Sequence, residues 1–499
     1  MTPIDVAIIV IYILACTALG GWIGGRGEQG LKGYFLGERN MPVWAVMISI
    51  VATETSTVTF LSVPGEAYKG NFEFLQLPMG YLVGRVLVSV ILLPSYFRGQ
   101  IETAYQVLGN RFGQTTRRTA STLFLFTRCL ADSLRLFLAA TVLSIVTGWS
   151  ILAAIIAVEA ATVVYTYLGG VKAVIWADVI QFSVYIAGAL IALYVLIGKL
   201  PGGWDQLTSS LWAADKFRTF DFQFSLTKPY TFWAGMFGGM ILNTATHGAD
   251  QMMVQRYLAA RSQRQAATAL IASGFVVLAQ FALFLFIGAS LFVFFQEFPP
   301  AAAITKSDEA FSRFIVDYLP VGIKGLVIAA IFASAMGVLS GSLNASSLTV
   351  INDLYRPISG DTNEKRLVRL SKLMTIVFGV IQAAVAWWAT GLEQSVVANA
   401  LAIASFTTGI LLGLFLLGIL TKSVGEGAAL VGMVVGVSAV SFAKFGAPYV
   451  FGAELAWPWF ALVGSATTFV AGLLAAPLFR APQIDEDEVD ASESLQPTS

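Results

Sequence analysis

The chain is short of charge, cysteine and histidine: 12% of its 499 residues are Asp, Glu, Lys or Arg, and it holds two cysteines and one histidine. So little charge beside 57% hydrophobic residues excludes an ordinary water-soluble domain, because one core cannot hide that much apolar surface. The 30 basic and 30 acidic residues cancel, which leaves no broad field to draw in nucleic acid or an acidic partner. Cys16 and Cys129 lie in apolar stretches without metal-ligand spacing. Neither a disulfide nor a zinc site is expected, and both read as ordinary buried residues. No P-loop, His-Glu-x-x-His or nucleophile-elbow pattern occurs in a credible context, so ATP-driven transport and membrane hydrolysis have no sequence support.

What the chain has in abundance is apolar runs. About thirteen of them are long enough to cross ~30 Å of hydrocarbon at about 1.5 Å per helical residue. They lie near residues 5–24, 43–66, 75–99, 119–147, 150–168, 172–199, 230–258, 264–295, 319–352, 366–391, 394–420, 426–444 and 456–479. The pattern predicts an all-α polytopic membrane protein with lipid as its surroundings. Residues 1–480 form one transmembrane domain, and the acid-rich 481–499 read as a disordered cytoplasmic tail. Thr2, Pro3 and Asp5 open the first run in place of a basic segment, so it reads as a retained helix and not as a cleaved signal peptide. Arg98, Arg111, Arg117 and Arg118, then Arg256, Arg261 and Arg264, then Arg356, Lys365, Arg366, Arg369 and Lys372 mark alternate loops. Basic loops stay cytoplasmic, which puts the N-terminus outside and the C-terminus inside an inner (plasma) membrane. The loops at 200–229 and 296–318 are too short for an enzyme core, and no signalling domain is appended.

Two runs are interrupted by polar residues. The second reads Val51-Ala-Thr-Glu-Thr-Ser-Thr-Val-Thr59 before Ser62, Pro64 and Gly65, and places Glu54 at mid-depth. Ser and Thr also satisfy backbone carbonyls inside membrane helices, yet the acid favours a break where an unwound turn meets a ligand. The seventh has Gly238-Gly-Met-Ile-Leu-Asn-Thr-Ala-Thr-His-Gly-Ala-Asp250. Two broken helices five spans apart predict an inverted repeat, near 43–199 and 230–420, with a site between them. Ser56, Thr59 and Asn243 belong to these stretches, and Phe60, Gln76 and Tyr81 are further cavity candidates, although membrane aromatics more often pack. Glu54 alternatively takes up a proton during transport. His247 reads as a hydrogen-bonding residue more readily than as a relay.

Arg128, Asp132 and Arg135 share one face of the fourth span, at i, i+4 and i+7. Three charges cannot face lipid. Asp132 can fully pair with one guanidinium only, so the surplus is met by Glu159, by Glu54, or by an anionic substrate held in the bidentate manner that arginine favours. Arg85 can join either arrangement. A purely structural ion network is the competing reading.

The chain resembles the sodium/solute symporter family over nearly its whole length. Thr103-Ala-Tyr-Gln-Val-Leu-Gly-Asn-Arg-Phe-Gly113 is similar to that family's TxYexLxxRFG, and Tyr167 to Gln181 to its GGxxAVxxTDxxQ segment. Asp250 to Tyr257 is similar to DQxxxQRxL, and Leu343-Asn344 through Asp353-Leu-Tyr355 to the end of the ninth span. The resemblance implies a LeuT-like fold of two five-helix inverted repeats, alternating access and sodium coupling. By position it implies backbone carbonyls of Ala52 and Thr55 as sodium ligands, together with hydroxyls from the ninth span. Here the two matching positions are Gly337 and Val338, which have none. Ser334 and Ser340 stand one turn to either side, and Ser340 with Asp178 matches a second sodium site of some members. Asp178 also reads as a partner for Lys172 or a loop amine. The expectation is a secondary symporter for a small polar, anionic or zwitterionic solute; a proton-coupled or uncoupled carrier, a membrane ligand sensor, an integral-membrane enzyme and a passive channel are the rivals.

Overall fold

The computed structural model describes residues 2–24, 30–98, 101–300, 304, 306, 307, 309–392 and 394–479. Among these, all regular secondary structure is helical. Eight helices among the described residues are long and apolar enough to cross a bilayer, and nine if Val43–Glu54 and Thr59–Lys69, bent by 64°, count as one broken span. The helix Ile151–Lys199 has 49 residues, roughly twice what ~30 Å of hydrocarbon needs. It is interrupted at Gly170, whose φ is 55° and ψ is −153°. A Cβ there would meet the Tyr34 carbonyl at 2.3 Å, so only glycine allows the chain to turn and cross again. Gln114–Thr147 carries charges at mid-length, Gly239–Ala249 and Gln251–Leu258 are the halves of a second broken span, and Gln394–Leu420 is apolar. With these the crossings agree with the hydropathy pattern.

Several boundaries differ from expectation. The fourth span begins at Gln114, not near 119. The segment 200–229 contains a helix, Gly203–Ala213, and Glu309–Tyr318 forms another that buries Phe311, Phe314 and Ile315. Both are too short and too polar on one face to stand out as apolar runs. The acidic segment 481–499 lies outside the described residues.

The ninth span, Ile323–Thr349, is the hub. From Val327 to Thr349 every side chain is buried, and its Ala, Ser and Gly content lets neighbouring backbones approach closely. The first span caps it: Asp5 Oδ1 accepts from the Gly322 and Gly325 amides at 2.8 and 3.0 Å, placing a carboxylate at a helix N-terminus. The periphery is apolar and exposed, with Ile11, Val90, Phe126, Val380 and Leu474 on the surface, as lipid requires.

Candidate functional site

The second span breaks where its hydroxyls crowd. Thr55 leaves helical geometry (φ −90°, ψ 89°), and Ser56 starts the second half, Thr57–Lys69, as its N-cap, with Oγ accepting from the Thr59 amide at 3.3 Å. The β-branched run after Glu54 and the hydroxyls that compete for backbone groups favour this unwinding. The seventh span breaks later than its polar stretch predicts. Leu242 to Ala249 remain helical, and the turn falls at Asp250, whose Oδ1 accepts from the Met252 amide at 2.8 Å. An aspartate N-cap starts a new helix there. The carbonyls freed at this turn are occupied: Tyr96 donates to Gly248 O and Tyr105 to Ala249 O.

A cavity of about 300 Å³ lies between the two breaks, lined by Thr53, Glu54, Ser56, Thr59, Tyr81, Arg128, Arg135, Asn243 and Thr246 among others. It reaches Val63, Phe74, Phe281 and Trp457. A smaller hollow of about 110 Å³ adjoins it at Arg128, Arg135 and Asp250. Asn243 Oδ1 is buried without a partner among the described residues. Phe60 and Gln76 stand elsewhere. Phe60 is fully buried against Tyr185, Phe284 and Phe311. Gln76 ties neighbouring loops together, donating to Glu73 O and Tyr230 O and accepting from the Asp221 amide.

The charged face of the fourth span is answered from the seventh. Arg128 binds Asp132 through Nε at 2.7 Å and Asp250 through Nη1 at 2.9 Å, so its guanidinium is committed to two carboxylates. Among the described residues Arg135 makes one ion pair, Nη1 to Asp132 Oδ1 at 2.6 Å, and its side chain is 32% exposed. Asp132 is fully buried behind the two arginines and away from the cavity wall. Asp250 was missed in sequence as the fourth member, and it closes the cluster at two charges of each sign. Glu159 pairs with neither arginine. Glu54 is held instead by Arg85, both of its oxygens lying within 2.7 Å of Nη2. His247 also contacts Glu54 through Nε2, and Tyr257 through Nδ1. Both Glu54 oxygens are thereby engaged, which argues against the transported-proton role and joins the two broken spans through Glu54 and His247.

Around Gly337 the structure gathers oxygens. A Cβ there would lie 2.9 Å from Gln181 Oε1, 3.5 Å from Ala52 O and 3.6 Å from Asp178 Oδ1. Both side-chain oxygens are buried and lack hydrogen-bond partners among the described residues. The other oxygen of Asp178 is taken by Ser49 at 2.5 Å and Arg256 at 3.2 Å, whereas Lys172 pairs with Glu38. Ser334 is shared between Ile331 O and Thr57, Ser340 donates to Gly337 O, and Thr55 Oγ1 is used by Val51, Gln280 and Tyr185. Those three hydroxyls are turned to protein partners. Gln181 was readable in sequence, since it lies three residues after Asp178 and shares its helical face.

On the side of the basic loops the quoted motifs meet. Asp353 Oδ1 accepts from Thr103 at 2.6 Å and from Arg117 at 2.8 Å, and Asn352 donates to Glu102 at 2.7 Å. The loop before the fourth span is thus locked to the end of the ninth.

The sequence model of the sodium:solute symporter family matches residues 34–436. The chain belongs to that family. Over 98% of both chains it is 30% identical to a sodium/sialic acid symporter of Proteus mirabilis. It is 28% identical to the human sodium/iodide cotransporter, covering 89% of this chain and 70% of the relative. The solved structure of a sodium-coupled sialic acid symporter, in a substrate-bound outward-open state, superposes with a TM-score of 0.88 at 29% identity over 97% of this chain and 100% of the other. This family member is therefore a secondary active symporter with the LeuT-like inverted repeat, and the family is one of transporters, not enzymes.

Proposed function

We propose that the protein imports a small carboxylate, with sialic acid the first candidate, together with sodium, the anion lying between Arg135 and the outer half of the second span. The observation that carries this reading is the contrast between two arginines on one helical face. Arg128 is spent on two carboxylates, and Arg135 keeps donors for a third while facing the cavity. Ser56 and Thr59 line the same wall at the start of a helix, whose amides and dipole favour an anion. Asn243, with an unpaired oxygen, supplies an acceptor for a hydroxyl or amide of the solute. Relatives named for sialic acid and iodide carry anions, which supports the sign of the charge.

Sodium fits the oxygens beside Gly337. It asks for hard oxygen donors, and Ala52 O, Asp178 Oδ1 and Gln181 Oε1 converge where hydroxyls at 337 and 338 are missing. In this reading Asp178 and Gln181 substitute for those hydroxyls. A monovalent cation there neutralises an otherwise unpaired carboxylate oxygen and steadies the break one turn from the anion. Occupation of both sites favours the state in which both are closed off, because only differential affinity shifts a conformational equilibrium. The basic loops and the lock at Asp353 support a cytoplasmic placement for that end.

The test is concentrative uptake of labelled sialic acid into proteoliposomes with sodium and pH gradients imposed separately. Uptake driven by sodium and abolished when choline replaces it is expected. Uptake that persists undiminished in choline rejects sodium coupling, and equal uptake of sialic acid and its neutral methyl ester rejects the anion site.

A further inference from the structure

Glu159 sits mid-way along the fifth span, is 3% exposed, and has no hydrogen-bond partner for either carboxyl oxygen among the described residues. Its neighbours offer little. A Cβ on Gly379 of the tenth span would stand 3.2 Å from Glu159 Oε1 and 2.4 Å from Val163, so backbone and an apolar side chain wall the carboxyl. One turn on, Gln382 is fully buried; its Nε2 donates to Ser342 at 3.2 Å while its Oε1 is also unpartnered. From the fourth span Asp132 is the charge that acts on Glu159, with the Cys129 thiol the other titratable neighbour. The tenth span from 373 to 388 has no titratable residue. Tyr12 and Cys16 of the first span stand beside Tyr165, further down the fifth.

We infer that Glu159 is a proton-binding site coupled to the solute through Asp132 and Arg135. An ionised carboxylate without partners in a low-dielectric interior, facing a second carboxylate, is far costlier than a neutral one. Sodium is a poor alternative occupant: Glu159 and Gln382 supply three unpartnered oxygens, Ser342 Oγ is engaged by Gln382, and the Val163 side chain and Gly379, which has none, add no further ligand. Protonation moves one proton from a hydronium ion to a carboxylate oxygen: one O–H bond of hydronium breaks, one forms on Glu159, and neutral water is left.

The coupling follows from the charge cluster. Asp132 shares Arg128 and Arg135, and a solute carboxylate arriving on Arg135 adds one negative charge and competes for that guanidinium. Glu159 then sees a more negative neighbourhood and holds its proton more tightly, and by reciprocity a protonated Glu159 favours the solute. Proton and anion are taken up together, alongside sodium. This step rests on the assignment of Arg135 to the solute carboxylate.

Infrared difference spectra of purified protein between acid and alkaline buffer test the site without any solute. Wild type is expected to show the carbonyl stretch of a protonated carboxyl that Glu159→Gln loses and Glu159→Asp shifts. A spectrum unchanged in both variants overturns the proposal. In proteoliposomes at fixed sodium gradient, acid outside is expected to raise sialic acid uptake several-fold in wild type, and Glu159→Gln is expected to keep sodium-driven uptake and lose that increase. A wild type indifferent to the proton gradient, or a Glu159→Gln variant that responds as wild type does, overturns the coupling. Absence of sialic acid uptake in every preparation counts against the solute assignment, and the infrared spectra then decide the proton site alone.

Discussion

Replacing Arg135 by Gln removes a guanidinium that holds one protein partner and, in the proposed complex, the solute carboxylate. A charge-assisted hydrogen bond contributes about 1.5–3 kcal/mol. At 32% exposure water screens part of it, which points to the lower end, ~1.5–2 kcal/mol, or roughly 10–30-fold in affinity. A second effect acts in the same direction. The cluster of Arg128, Arg135, Asp132 and Asp250 is balanced in wild type, and Arg135→Gln leaves it one negative charge in excess, which repels an anion. Initial rates of sialic acid uptake at saturating sodium give KM, with the neutral methyl ester as control. The expected result is a KM for the acid raised about tenfold or more, with the ester little affected. Equal shifts for acid and ester, or no shift for either, refute the assignment.

Arg128→Gln should act on stability and not on recognition. It takes from buried Asp250 its arginine and from Asp132 one of its two, a loss of roughly 3–5 kcal/mol, so the thermal unfolding temperature should fall well below that of Arg135→Gln; equal values contradict the division of labour. Asp353→Asn weakens the lock made with Thr103 and Arg117. It should speed thiol labelling of Ala104→Cys from the side of the basic loops by an order of about ten, as the loss of a charge-assisted bond implies, and an unchanged rate speaks against a gate there. In the loop at 200–229, Lys216 donates to the carbonyls of Tyr68 and Gly70 at 2.9 and 2.7 Å, and burial pulls its ammonium down to about 8 from 10.5. The unfolded chain therefore binds this proton more tightly, and stability should rise with pH between about 8 and 10.5. Unfolding temperatures of wild type and Lys216→Met across that window check it, since the variant should lack the rise; parallel curves rule it out.

The spans were legible because a bilayer leaves few ways to satisfy a backbone: apolar runs of fixed length have to be helices. Where the signal failed, local chemistry had intervened. The seventh break moved to Asp250 because an aspartate that accepts from Met252 N can start a helix, while the hydroxyls before it stay in helical register. The face of Arg128, Asp132 and Arg135 was visible from its spacing, but its partner on the seventh span was not, since a pairing between spans leaves no period in the sequence. The same holds for Arg85 with Glu54. Gln76 and Phe60 looked like cavity residues by position, yet one ties loops and the other fills an aromatic cluster. The missing hydroxyls at Gly337 and Val338 were plain in the sequence. Asp178 and Gln181 were in view in the sequence as well, but that their free oxygens lie beside Gly337 depends on the packing of the sixth span against the ninth, which leaves no pattern in the chain.

Symport of this kind requires cation and anion to meet at the break in the second span, and calorimetric titration of purified protein measures that directly. Sialic acid should bind more tightly in sodium than in choline, and sodium more tightly with sialic acid than without it, by the same factor. Wild-type affinity for the acid that is identical in sodium and in choline would contradict it.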